Sequence, residues 1–284
     1  MNHNLKALYG LKFNPFSADL PLEALHVTPA LENFAWRIEN GIAHEGGFAL
    51  ITGQPGTGKS VSLRVLAERL ERLREVSVGC LEHPQSSLAD FYREMGERFA
   101  VALKPHNRWG GFRALREKWL AHIDTTLMRP ILLIDEVQEM NANVLSELRI
   151  LTSTRFDSRN ILSVVLAGDQ RLVHKLSREE LLPLGSRIRT RLLLEPATSE
   201  ALRSCLQHLM AAAGNAKLMT RELIDTLCDH ALGNYRMLVT MANELLSVAA
   251  QRELDTLDEK LYLEVFAVPV AASQKPARAA RAQA

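Results

Sequence analysis

Apolar positions recur along this chain in two rhythms, and the change from one to the other divides it. Up to Pro196, short apolar runs alternate with helical stretches. Phe48-Ala49-Leu50-Ile51-Thr52 predicts a buried strand, and Val76-Ser77-Val78-Gly79-Cys80 a second. Pro130 then introduces Ile131-Leu132-Leu133-Ile134, an unbroken apolar run of the kind buried on both faces of a parallel sheet. Ile161–Ala167 and Arg191–Leu194 complete the strand set. Helices fit Ala30–Ala43, the stretch carrying Leu63, Leu66, Leu70 and Leu73 on one face, Leu88–Val101, Gly111–Thr125 and Asn143–Ser153. Strands alternating with helices imply a parallel sheet covered on both sides.

Beyond Pro196 only helical periodicity remains. It predicts Ser199–Ala213, Thr220–Ala231, with Gly233 as a stop signal, Tyr235–Arg252 and Asp258–Ala267. Thr256-Leu257-Asp258-Glu259 reads as a capping box opening the last. The expected organisation is an α/β domain with an N-terminal extension over residues 1–196, a small all-helical lid over 197–268, and a disordered tail over 269–284.

Composition changes this picture little. The 284 residues are 47% hydrophobic and 24% charged, with a net charge of +1, so any contact with nucleic acid must come from a local patch. Three widely spaced cysteines, Cys80, Cys205 and Cys228, read as small buried hydrophobes in a reducing compartment. No apolar run approaches the ~20 residues that span a bilayer. The N-terminus lacks a signal-peptide pattern, so the expectation is a cytoplasmic protein without a membrane partner.

The chemistry lies at two strand ends. Gly53-Gln54-Pro55-Gly56-Thr57-Gly58-Lys59-Ser60 satisfies G-x-x-x-x-G-K-[ST] between a predicted strand and a predicted helix that continues through Val61. Glycines let successive backbone N–H groups turn towards phosphates, and the helix N-terminus adds positive potential. Lys59 would reach the β- and γ-phosphates of ATP, and Ser60 would ligate Mg²⁺. At the end of Ile131–Ile134, Asp135 is placed to hold the Mg²⁺ shell and Glu136 to polarise the attacking water. Each motif has a bland alternative, a chance lysine in a glycine-rich turn or two solvated acids, but the pair in this order is specific.

Three further assignments follow. Gly185-Ser186-Arg187-Ile188-Arg189-Thr190-Arg191 sets arginines just before a strand. Arg187, then Arg189, is the candidate to reach a neighbouring subunit's γ-phosphate, against a solvated basic strand edge. Arg236, at a helix start, is placed to swing onto the phosphates and couple the lid to nucleotide state, or is an ordinary helix-start arginine. Asp169, where Ser163–Ala167 ends, is the positional candidate for a polar strand-tip group near the lytic water, with Gln170 its neighbour.

With these pieces in order, the chain resembles the AAA+ superfamily of P-loop NTPases. More closely, it resembles the bacterial group containing ExeA secretion ATPases and the helper ATPases that accompany DDE transposases. Tyr9-Gly10-Leu11, Asn14-Pro15-Phe16, Gly46-Gly47-Phe48, Asp135-Glu136-Val137-Gln138, Leu148-Arg149-Ile150-Leu151 and Leu166-Ala167-Gly168-Asp169-Gln170-Arg171-Leu172 carry the resemblance, over about Leu8–Asn243. The group usually reads Gly-Gln-Pro-Glu-Leu where this chain has Gly168-Asp169-Gln170-Arg171-Leu172, and Asn where it has Thr152 and Ser153. The resemblance implies a helix-sandwiched parallel sheet with a helical lid, Mg²⁺-dependent ATP hydrolysis, and a homo-oligomeric ring or filament.

Two jobs are implied. The chain shows no spanning segment after the lid, which favours a transposition helper that assembles with ATP on double-stranded DNA and engages a DDE transposase. The alternatives are an ExeA-like secretion ATPase and a module for which ATP is only a switch, although a pure switch has no need of Glu136. For DNA, Lys104, His106, Arg108, Trp109, Arg113, Arg116 and Lys118, with Phe112, form a basic aromatic cluster. The competing reading is a solvated helix face with Trp109 and Trp119 as core anchors.

Overall fold

The apolar run Gly47–Gly53 forms a strand, β1, in which all seven residues are buried. A strand buried on both faces must sit inside a sheet, and β1 does. The computed structural model describes residues 2–82, 87–102 and 107–266. Besides β1, it contains β2 (Val76–Leu81), β3 (Arg129–Ile134), β4 (Ser153–Thr154), β5 (Arg159–Asn160), β6 (Ser163–Gly168) and β7 (Ile188–Leu194). Five strands make one parallel sheet in the order β2-β3-β6-β1-β7, and β4 and β5 form a separate antiparallel hairpin.

The period-2 alternation of the strands divides the core. Phe48, Leu50, Leu132, Ile134, Val164 and Leu166 face one layer, packed with Phe91, Met95, Leu115, Trp119, Leu145 and Leu148. Ala49, Ile51, Ile131, Leu133, Val165 and Ala167 face the other, packed with Leu63, Leu66 and Leu70 of the helix Lys59–Glu71. On the edge strand β7 the outward residues Arg189, Arg191 and Leu193 are exposed, so the alternation shows in its sequence. The helix expected over 30–43 is α-helical at Pro29–Arg37, makes a π-helical turn at Ile38–Ile42 and ends at Ala43–Glu45.

The lid is four helices, Ser199–Ala213, Arg221–Ala231, Tyr235–Gln251 and Glu259–Phe266. Thr198, Thr220 and Asn234 cap the first three through their side-chain oxygens. The last departs from the expected capping box. Asp258 Oδ1, not Thr256, accepts from Leu261 N at 2.9 Å, while neighbouring Leu257 is tied to Leu218 and Thr220 by backbone hydrogen bonds.

The N-terminal segment also departs from the division read along the chain. Tyr9, Leu11 and Phe16 belong to the lid's apolar cluster, packed with Leu206, Met210 and Leu245. Lys12 N donates to Ala213 O at 2.8 Å, and Asn14 Nδ2 donates to Asn243 Oδ1 at 2.8 Å. The extension therefore straps the lid rather than merely preceding the sheet. The residues 269–284, expected to be a tail, lie outside the described residues. Among the described residues no helix is long and apolar enough to cross a membrane. All three cysteines are free; Cys205 and Cys228 are buried, and burial pushes the Cys205 thiol up to about 12.

Candidate nucleotide site

Parallel strands that end together place their loops on one edge of the sheet, where open α/β sheets hold ligands. The register puts Thr52 of β1 beside Gly168 of β6, and Ile134 of β3 beside Leu166. Gly53–Ser60, Asp135 with Glu136, and Asp169 are therefore brought to the same edge by three adjacent strands.

Within the glycine-rich loop, Gly56 (φ +83°) and Gly58 (φ +101°) occupy the left-handed region, which L side chains rarely adopt. Thr57 Oγ1 donates to Gln54 O at 2.8 Å, and the helix starts at Lys59. Lys59 is buried, and its Nζ donates to Gly53 O and Gln54 O, each at 3.1 Å. Both partners are neutral carbonyls, so among the described residues this buried ammonium makes no direct ion pair. The charge and the inward-turned loop suit a polyphosphate. Ser60 and Val61 are exposed at the first helical turn, and Asp135 is half-buried; the Ser60 hydroxyl and the Asp135 carboxylate are oxygen donors of the kind that Mg²⁺ takes.

Glu136 is exposed with its backbone in the left-handed region (φ +49°), and its N–H donates to Asp135 Oδ1 at 2.9 Å. Its carboxylate accepts from the amide of Gln138, which is buried. Asp169, the positional strand-tip candidate, is already engaged. It caps the helix Gln170–Leu176 by accepting from Arg171 N at 2.8 Å and pairs with Arg171 Nε at 2.9 Å. Burial works against its charge, but the Arg171 hydrogen bonds, with the charges of Arg171 and Lys59, hold the carboxyl below the usual range. The polar side chain that reaches the β6 tip is instead Gln138, whose Oε1 accepts from Asp169 N at 3.2 Å.

The lid closes the other side of the cradle. Asn234 Nδ2 donates to Pro55 O at 3.1 Å, and Arg236 N approaches Gly56 O at 3.4 Å. Arg236 is exposed, with its backbone against the phosphate loop. Asn234 was not singled out by sequence, although an Asn directly before a predicted helix is a capping signal.

Residues 42–176 match the family of AAA domains (AAA_22). General secretion pathway protein A of Aeromonas hydrophila is 26% identical over 248 residues, 86% of this chain and 44% of that protein. The chain thus spans less than half the length of this relative. Among solved structures, the Aeropyrum pernix ORC2 protein in ADPNP–ADP complexes superimposes with a TM-score of 0.70 at 15% identity, covering 88% of this chain and 70% of that one. Drosophila ORC bound to DNA does so with a TM-score of 0.68 at 17% identity, covering 93% and 66%.

The fold is the AAA+ P-loop fold.

The remaining candidates sit farther from the cradle. In this AAA+ sheet Ile188 pairs with Phe48 and Leu194 with Gly53, so Arg187 lies at the end of β7 opposite the phosphate loop. Six strand residues at ~3.3 Å each make that separation ~20 Å, beyond the reach of an arginine side chain. Arg187 pairs with Asp157 of the β4–β5 hairpin and lies 3.5 Å from Ser153 Oγ. Arg189 pairs with Glu45 at 3.2 Å, and both arginines line a cavity of about 250 Å³.

The basic aromatic cluster is only partly a free surface. Lys104 and His106 lie outside the described residues. Arg108 pairs with Glu147, which is 3% exposed and also accepts from Tyr92 Oη. Arg113 pairs with Glu117 at 2.6 Å along the helix Arg108–Thr126. Arg116 donates to Ile150 O at 3.2 Å and also to Ser153 O, and Lys118 donates to Phe99 O at 2.8 Å and Ala100 O at 3.0 Å. The two tryptophans divide. Trp119 is a core anchor at 1% exposed, whereas Trp109 is 70% exposed, stacked on Phe112 at 5.7 Å, with Arg116 over the other ring at 4.9 Å. Trp109 is therefore not the core anchor that the competing reading made it.

Proposed function

We propose that this chain is a Mg²⁺-dependent ATPase that oligomerises with ATP on double-stranded DNA and acts as the helper of a DDE transposase, in the cytoplasm. The observation carrying the ATPase reading is the cradle: Lys59 is buried on two neutral carbonyls in a loop with positive φ at Gly56 and Gly58, at the same sheet edge as Asp135 and Glu136, with β6 between the two strands.

ATP would draw Lys59 from the Gly53 and Gln54 carbonyls onto the β- and γ-phosphate oxygens, while backbone N–H groups of residues 56–60 hold the rest. Ser60 and Asp135 would hold Mg²⁺, which offsets charge on the β- and γ-phosphates. Glu136 accepts a proton from water as the water oxygen bonds to the γ-phosphorus. The bond from the γ-phosphorus to the β–γ bridging oxygen breaks, and ADP leaves with the electron pair. Arg187 is too far to serve its own nucleotide, which favours action on a neighbouring copy and ties turnover to assembly.

For DNA, the support is the exposed Trp109 stacked on Phe112, with Arg116 over the Phe112 ring, together with the likeness in fold to Drosophila ORC bound to DNA. A second reading, a secretion-type ATPase, is favoured by the 26% identity to general secretion pathway protein A. Electron microscopy with a non-hydrolysable ATP analogue, with and without duplex DNA, separates them. DNA-dependent rings or filaments support the helper. Assembly indifferent to DNA but responsive to membrane or cell-wall components supports the secretion reading. Replacing Glu136 with Gln should leave ATP binding intact and abolish turnover; unchanged turnover would refute the catalytic assignment.

A further inference from the structure

The strand tip beside the phosphate loop lacks a free side chain of its own. Asp169 is committed to Arg171, and Gly168 has none. That absence at Gly168 creates room: a Cβ there would lie 2.6 Å from Gln138 Oε1. Gln138 fills the space from the loop after β3. Its Oε1 accepts the Asp169 N–H, and its Nε2 donates to the Glu136 carboxylate.

The loop that presents it is firmly held. Val137 and Met140 are fully buried. Lys175 Nζ donates to Gln138 O at 2.7 Å and Met140 O at 2.6 Å, and Arg171 pairs with Glu139 at 2.8 Å. The amide is thus fixed at both ends between the water-activating carboxylate and the tip of β6.

We infer that Gln138 is the positioning residue for hydrolysis: its amide joins Glu136 to the β6 tip and sets where the carboxylate stands relative to the γ-phosphate. This rests on the ATPase reading above. An amide is suited to the post, because one oxygen takes the backbone N–H while its nitrogen supplies the carboxylate with a donor. Glutamate at 138 would keep the acceptor but set a second carboxylate against Glu136. Leucine would remove both bonds at similar volume.

The test uses the full chain with Gln138→Leu, Gln138→Glu and Gly168→Ala. The last keeps the amide but crowds it at the strand tip, and its Cβ also falls 2.7 Å from Cδ2 of the buried Leu172, so its Tm is expected to drop as well. We expect each to lower kcat at least tenfold while the Kd for a fluorescent ATP analogue stays near wild type, and the two Gln138 variants to keep an apo Tm near wild type. A crystal structure of Gln138→Leu should show the Glu136 carboxylate displaced from the β6 tip. Adding Gln138→Leu to Glu136→Asp, which keeps a carboxylate and measurable turnover, should slow turnover less than Gln138→Leu does alone, because one residue acts through the other. Unchanged kcat in the single variants, or an additive loss in the double, overturns the proposal. So does a loss explained by weakened ATP binding or, in the Gln138 variants, by a lowered Tm. If wild-type protein binds ATP but never hydrolyses it, the ATPase reading itself has failed. In that event an unmoved Glu136 carboxylate in the Gln138→Leu crystal structure separately rejects the link between the two side chains.

Discussion

Gly56→Ala is expected to loosen the lid as well as strain the phosphate loop. Gly56 sits at φ +83°, and a Cβ there would fall 2.1 Å from Asn234 Oδ1 and 2.6 Å from both Cγ and Nδ2. The left-handed conformation costs a non-glycine residue about 1–2 kcal/mol. Expelling the Asn234 side chain removes its bond to Pro55 O and its cap on Met237 N, each worth about 1 kcal/mol. The sum is about 3–4 kcal/mol. At about 2 °C per kcal/mol for a chain of this size, Tm should fall by about 6–8 °C. ATP affinity should fall with it, because the lid no longer rests on the cradle.

Asn234→Ala isolates the lid share, at about 2 kcal/mol, without touching the loop backbone. Thermal unfolding and titration with a fluorescent ATP analogue, on both singles and the double, decide the matter. If the steric reasoning holds, the double variant costs clearly less than the sum, since the Asn234 contacts can be lost only once. Strict additivity, or a Gly56→Ala protein with wild-type Tm and affinity, would refute it.

Further predictions concern assembly, DNA and the buried carboxylate. Lys59→Ala should abolish ATP binding. Arg187→Ala should bind ATP normally but lose turnover on the order of 10³-fold. Mixing these two inactive proteins should restore part of the activity if Arg187 serves a neighbour, and a mixture as dead as its components would remove the trans role. Trp109→Ala combined with Arg113→Glu should weaken duplex binding, read by anisotropy across a salt series, with Tm unchanged because both side chains are exposed. Undiminished affinity would place the DNA surface elsewhere. At Glu147, burial pushes the carboxyl up, but hydrogen bonds from Arg108 and Tyr92 and the charge of Arg108 pull it below its ordinary value. A folded pKa below the unfolded one stabilises above the ordinary carboxylate pKa, about 4.3, and the gain is lost as pH falls through the folded value. Arg108→Ala should therefore cost about 1–3 kcal/mol at neutral pH and flatten the acid limb of the Tm–pH curve. An unchanged acid limb would show that the pair does not set it.

Local chemistry decided what could be read along the chain. A phosphate loop needs glycines, a lysine and a hydroxyl within eight consecutive residues, so Gly53–Ser60 was legible. The same holds for the apolar run that ends at Asp135 and Glu136, for the alternation of strands and helices, and for the change of rhythm at Pro196. What stayed hidden depends on contacts between residues distant in sequence. Trp109 and Trp119 lie on one helix, and only packing against Phe99 and the sheet made the second a core residue. Position along the chain points to Asp169, but its carboxylate is taken by a neighbouring arginine, and Gln138 arrives from 31 residues away. The N-terminal extension precedes the sheet in sequence yet packs on the lid, and Asn234 meets the phosphate loop across 179 residues. Backbone-forming patterns are short-range and survive in one dimension. Which side chain finds which partner is settled only when the folded chain brings them within hydrogen-bonding distance.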